Sequence, residues 1–96
     1  MRVIIDGNAV KSEQDLHDQL KGPLDFGPYY GNNLSALWDR LYRDVERPVE
    51  LVWQNSETSK ANLGDELFGK IAELMTHAME EDAKYPPDER FTVRFE

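Results

Sequence analysis

Aromatic residues gather around one carboxylate, Asp39. On a helix turning about 100° per residue, Leu34, Leu37 and Leu41 make a buried stripe. Ser35, Asp39 and Arg43, at i, i+4 and i+8, fall on the outward face. Trp38 and Tyr42 lie at the border between the two faces, and the preceding loop brings Tyr29 and Tyr30. Rigid rings beside a carboxylate suit a binding hot spot for a cationic site. The same pattern also accommodates a plainer arrangement, in which Trp38 is core and the two tyrosines brace the loop.

Other candidates carry less chemistry. Glu73, His77 and Glu81 repeat at i, i+4 and i+8, a spacing able to present metal ligands. No second helix supplies matching His or Asp ligands, so a solvated face is expected there, with no metal and no cofactor. Glu80-Glu81-Asp82 stands near a helix C-terminus, where carboxylates oppose the macrodipole, and reads as a solvated helix end. His17 has a hydrogen-bonded structural role in this reading. No nucleophile is paired with a base, and the Gly-rich loop follows a helix rather than a strand, so no enzyme is expected.

Charge narrows the partner. Eleven basic against 19 acidic residues give a net charge of -8. A nucleic-acid binder needs cations to displace counterions from phosphates, and anionic membranes select the same sign. Neither nucleic acid nor membrane is therefore expected. An acidic domain suits a basic protein partner, whose encounter its field would speed. With no cysteine, disulfides and zinc-thiolate sites are impossible, which fits a reducing, cytoplasmic setting. No stretch approaches the roughly 20 apolar residues of a membrane span, and the apolar run at the N-terminus is too short for a signal peptide. Ninety-six residues leave room for one domain, 1–96, expected to be a monomer when free.

The elements that must position these residues follow from periodicity. Val3-Ile4-Ile5, closed by Asp6-Gly7-Asn8, reads as a strand buried on both faces. Ser12 with Asp15 forms a capping-box pattern for a helix running to about Lys21, stopped by Gly22-Pro23. The loop that follows holds positive-φ candidates at Gly27, Gly31 and Asn32. Asn33 caps a second helix with Leu34, Leu37, Trp38, Leu41 and Val45 at helical spacing. Arg47-Pro48 breaks it, and Val49 to Trp53 forms a second strand. A short helix begins at Asn55 or Ser56. The longest amphipathic helix runs from Leu67 to about Ala83. Phe91, Val93 and Phe95 alternate as a terminal strand. The order β-α-α-β-α-α-β predicts an α/β fold with a parallel three-stranded sheet and about four helices.

The run Pro28-Tyr29-Tyr30-Gly31-Asn32-Asn33-Leu34-Ser35-Ala36-Leu37-Trp38-Asp39 resembles the signature of the barstar family, intracellular ribonuclease inhibitors. Ser12, Asp15-Leu16-His17 and Leu20 are similar to the family's first helix. Pro48 with Val49-Glu50-Leu51-Val52-Trp53 is similar to its second strand, and Ser59-Lys60 follows at the family's spacing. The resemblance is close over residues 3 to 60 and looser beyond.

It implies a barstar-like fold and an inhibitor, acting 1:1, that plugs the active site of a small basic ribonuclease with the segment Tyr29 to Asp44. Tyr29 would stack on the enzyme's catalytic histidine, and Asp39 would take the place of the scissile phosphate. Gly31 and Asn33 would approach closely, Trp38 would cover the edge, and Tyr30, Tyr42 and Asp44 belong to the same face. Glu73 is the carry-over for a glutamate contact on the last helix. Arg47-Pro48 matches a family position with a cis proline. Three departures stand out. Ser35 replaces a second contacting aspartate, Arg40 replaces a cysteine, and Arg43-Asp44 replaces a glycine-tryptophan pair. Arginines at the face would repel a basic cleft unless they fold away or meet acidic groups. The target could be a ribonuclease toxin, making this chain its immunity protein. The alternative is a barstar-like adaptor for a non-nuclease protein.

Overall fold

Short β-branched and aromatic runs form three strands, β1 (Arg2–Asp6), β2 (Val49–Gln54) and β3 (Phe91–Phe95). The structure, a computed structural model, describes residues 1–96 apart from the Arg43 side chain. Pairing is parallel throughout with β2 in the centre, so that Val3, Leu51 and Val93 align across the sheet. Parallel neighbours need crossovers, and here they are helical. α1 (Glu13–Lys21) and α2 (Leu34–Asp39) join β1 to β2, while α3 (Ser56–Leu63) and α4 (Asp65–Asp82) join β2 to β3. This is the α/β order expected from periodicity.

Alternate strand residues Val3, Ile5, Leu51, Trp53, Phe91 and Val93 face the helices and meet Leu16, Leu20, Leu37, Leu41, Ile71 and Met75 in one core. Burial of each large apolar side chain stabilises the fold by about 1.5–3 kcal/mol. The opposite face presents Arg2, Ile4, Glu50, Thr92 and Arg94, and Ile4 is 44% exposed. The expectation that β1 is buried on both faces is thus corrected. The helices that complete the core pack on the Val3–Ile5 side, and the alternate β1 residues Arg2, Ile4 and Asp6 are exposed.

The outer edges of the sheet are closed by helix side chains. The Asp6 N–H donates to Gln19 Oε1 at 2.8 Å, and Gln19 Nε2 donates back to the Asp6 carbonyl at 3.0 Å. At the other edge, the Phe91 N–H donates to Asp82 Oδ2 at 2.7 Å and the Val93 N–H to Met79 Sδ at 3.5 Å.

Caps act where the sequence places them. Ser12 Oγ accepts from the Asp15 N–H, while Asp15 Oδ2 accepts from the Ser12 N–H, closing a capping box. Asn33 Oδ1 accepts from the Ala36 N–H at 2.8 Å and starts α2. The second helix departs from expectation at its other end. It is α-helical only to Asp39, and Arg40–Asp44 forms a π-helical turn in which the Val45 N–H donates to the Arg40 carbonyl. The Arg47-Pro48 bond that follows is cis. Gly64, at φ 90°, separates α3 from α4. Trp53 Nε1 donates to Ser59 Oγ, and that hydroxyl donates to the Gly7 carbonyl, tying α3 to the end of β1.

Candidate protein-binding site

The loop from Gly22 to Asn33 is held from inside. Leu24 and Phe26 are buried, and their N–H groups donate back to the Leu20 and Lys21 carbonyls at 3.1 and 3.0 Å. Asp25, Gly27 and Asn32 adopt positive φ. Gly31 does not, correcting the expectation there. Its requirement is space, because a Cβ would lie 3.2 Å from Asn33 Nδ2 and 3.3 Å from Ala36 Cβ.

The two tyrosines part company. Tyr29 is 92% exposed, whereas Tyr30 is 7% exposed and turned inward. The Tyr30 ring packs on Phe26 at 4.6 Å, and its hydroxyl lies 2.6 Å from Nδ1 of the fully buried His17. Burial, reinforced by the Glu13 charge, pushes the Tyr30 hydroxyl above the usual phenol range, so it stays protonated and can donate. A neutral His17 that accepts from it carries its proton on Nε2, 2.9 Å from Glu13 Oε2. Tyr30 therefore braces the loop. Its ring, expected at the partner face, is not available there.

Asp39 closes α2 and is exposed, and among the described residues no side chain pairs with its carboxylate. Beside it Trp38 packs against the core edge and also lines an open groove of about 510 Å³ between α2 and α4. Trp38 is thus half-buried, at the edge of the core rather than inside it. Tyr42 stacks on Trp38 with centroids 5.1 Å apart at 14°, and His77 of α4 tilts against it at 5.1 Å. Ser35, Asp39, Lys70, Glu73 and His77 line the same groove. Glu73 is thus brought to the side of Asp39.

Arg40 donates to Asp44 Oδ2 at 2.7 Å, so its charge meets an acid within its own turn. The Arg43 side chain, expected at this face, lies outside the described residues. Past Asp39 the backbone continues as the π turn Arg40–Asp44. Arg47 holds this turn, donating to the Val45 carbonyl at 2.7 Å, to the Leu41 carbonyl, and to Asp82 Oδ2 at 2.9 Å. Asp82 is 5% exposed, which corrects its reading as part of a solvated helix end.

A loop braced against α1 thus feeds a short helix that ends on an exposed carboxylate with no partner among the described residues. The family model described as Barstar (barnase inhibitor) matches residues 1–95. The chain belongs to the barstar family. A Bacillus subtilis (strain 168) protein named "Putative ribonuclease inhibitor YrdF" is 44% identical over 80 residues, which cover 83% of this chain and 87% of that relative. The barstar fold here holds no helix long and apolar enough to cross a membrane. Among the described residues no His, Asp and Glu cluster is arranged to hold a metal ion. His77 hydrogen-bonds Glu81 at 3.2 Å.

The sequence reading of this barstar-family site missed Arg47 and Asp82, whose link spans 35 positions and leaves no local pattern. It also missed that His77 faces Trp38. The i, i+4 spacing from Glu73 was the available signal, and it put the two on one face without showing that α2 covers that face.

Proposed function

We propose that this chain inhibits a small basic ribonuclease by seating the segment Tyr29 to Asp44 in the enzyme's active site, with Asp39 where the RNA phosphate binds. The observation that supports this best is the exposed Asp39 carboxylate, unpaired among the described residues and next to Trp38. A carboxylate without an internal partner accepts charge-assisted hydrogen bonds from arginine, lysine or protonated histidine built for a phosphate. The helix presents it at little entropic cost. Tyr29, exposed at the loop tip, offers a ring for stacking, and Glu73 adds a second carboxylate across the groove. In this reading the complex is 1:1, the chain is cytoplasmic and not an enzyme, and a ribonuclease toxin is one form the target takes.

Titration of RNA cleavage by barnase with wild type and Asp39→Ala side by side tests the reading. Cleavage stops near one equivalent of wild type and persists with the variant. Equal inhibition by both proteins would exclude Asp39 as the phosphate mimic. The adaptor alternative drew on Ser35 and the arginines of this segment. The Arg40–Asp44 pair weakens it, since that cation is met within the chain.

A further inference from the structure

His77 stands where a basic partner would be received, and the Tyr29 to Asp44 segment does not account for it. Its ring packs on Trp38 at 5.1 Å, opening onto the groove that holds Asp39. Its side chain is 58% exposed. Among the described residues the charged and titratable groups around it are Asp39 from α2, Tyr42 from the π turn, and Lys70, Glu73 and Glu81 from α4. Neutral His77 leaves a groove whose carboxylates outnumber its one lysine. Protonated His77 adds a cation there, packed on Trp38 and paired with Glu81.

Histidine is the side chain that changes charge between about pH 5 and 8. A partner that brings cations into this groove meets like charge when His77 is protonated, and like charges brought together in an interface are costly. Binding and protonation then oppose each other, and by linkage each weakens the other equally.

We propose that His77 is a specificity-determining residue of the inhibitory face, which makes the hold on a basic nuclease weaken as pH falls through the histidine range. This rests on the nuclease-binding reading of the Asp39 face. The direction is fixed by the charges: the free protein takes up a proton that the complex excludes, so complex formation releases a proton at acidic pH. Affinity therefore rises with pH until His77 is neutral in both states.

The experiment measures the dissociation constant of barnase with wild type and with His77→Gln at about pH 5.5 and about pH 8. Comparing the two proteins removes titration of the enzyme's own groups. Wild type loses at least about fivefold more affinity on acidification than His77→Gln does. The His77 ring resonance, followed by NMR, titrates at lower pH in the complex than in the free protein. Equal pH dependence in the two proteins, with tight binding retained, overturns the role of His77 and leaves the nuclease reading standing. Failure of wild type to bind barnase at either pH overturns that reading and this inference with it.

Discussion

The Arg47 guanidinium meets the Asp82 carboxylate at 2.9 Å where the π turn after Asp39, the end of α4 and the start of β3 converge. The same carboxylate oxygen accepts from the Phe91 N–H, and the same guanidinium serves the Leu41 and Val45 carbonyls. The side chains are 15% and 7% exposed, so each is mostly removed from water and relies on the other. Breaking such a pair from one side leaves an uncompensated buried charge. Asp82→Ala lowers stability by about 3 kcal/mol, read as an earlier urea midpoint at unchanged slope. A loss under about 1 kcal/mol would mean that water compensates Arg47.

Asp39→Ala separates binding from folding. Among the described residues nothing pairs with its carboxylate, so the thermal midpoint stays within about a degree of wild type. Binding to a small basic ribonuclease falls by more than about 2 kcal/mol, the general hot-spot figure, for which a barstar aspartate is itself a reference case. Calorimetry of both proteins measures the two quantities, and a large drop in the midpoint would give Asp39 a structural role instead.

On the nuclease-binding reading, the net charge of -8 also sets the speed of encounter with a basic partner. Raising salt from about 50 to about 500 mM slows association by roughly tenfold or more and leaves dissociation nearly unchanged. Stopped-flow mixing checks this, and a salt effect confined to dissociation would count against long-range steering.

Tyr30→Phe removes the hydroxyl that satisfies buried His17, at a cost of about 1–2 kcal/mol. The raised Tyr30 ionisation gives a further signature. The folded state keeps the phenolic proton where the unfolded chain releases it, so this stability is fully present below about pH 10 and declines as pH rises beyond it. Denaturant melts at alkaline pH show the decline in wild type and a smaller one in the variant. Identical slopes in the two proteins would place the alkaline loss elsewhere.

Gly7 admits no side chain. A Cβ there would stand 2.2 Å from the Gln54 carbonyl oxygen and 2.4 Å from that of Asn55, both backbone atoms that cannot swing aside. Gly7→Ala therefore costs more than about 3 kcal/mol, and a melt showing a shift below about 1 kcal/mol would contradict the close approach.

Much of this architecture is written in short-range patterns. Ser12 with Asp15 and Asn33 with Ala36 are separated by one helical turn, so residue type alone predicts their caps. The alternation of Phe91, Val93 and Phe95 announces β3 in the same way. What escaped depends on partners far along the chain. Tyr30 turns inward because His17 lies 13 residues earlier, and Asp82 is buried because Arg47 waits 35 residues before it. The α-helix gives way to a π turn beyond Asp39 for a related reason. Arg47 binds the Leu41 carbonyl within this i+5 turn and the Val45 carbonyl just after it, which no periodicity in Arg40–Asp44 records. The helical wheel put Asp39 on the outward face, and it is exposed there; Tyr29 is exposed on the loop before it. The shared groove of Asp39, Glu73 and His77 emerges only once α4 packs against α2.

The bonds from Gln19, Asp82 and Met79 have a meaning beyond the fold of a single molecule. A three-stranded parallel sheet ends in two open rails, each a template on which another chain could lay a strand. Here Asp6 on one side and Phe91 with Val93 on the other are already engaged by the chain's own helices. A fourth strand could be added along these stretches only by first lifting Gln19 of α1, or Asp82 and Met79 of α4, away. Lifting Asp82 would also strip Arg47 of its counter-ion. Strand addition along the β3 edge is thereby coupled to loss of the turn behind Asp39, and a molecule that resists it keeps that turn intact.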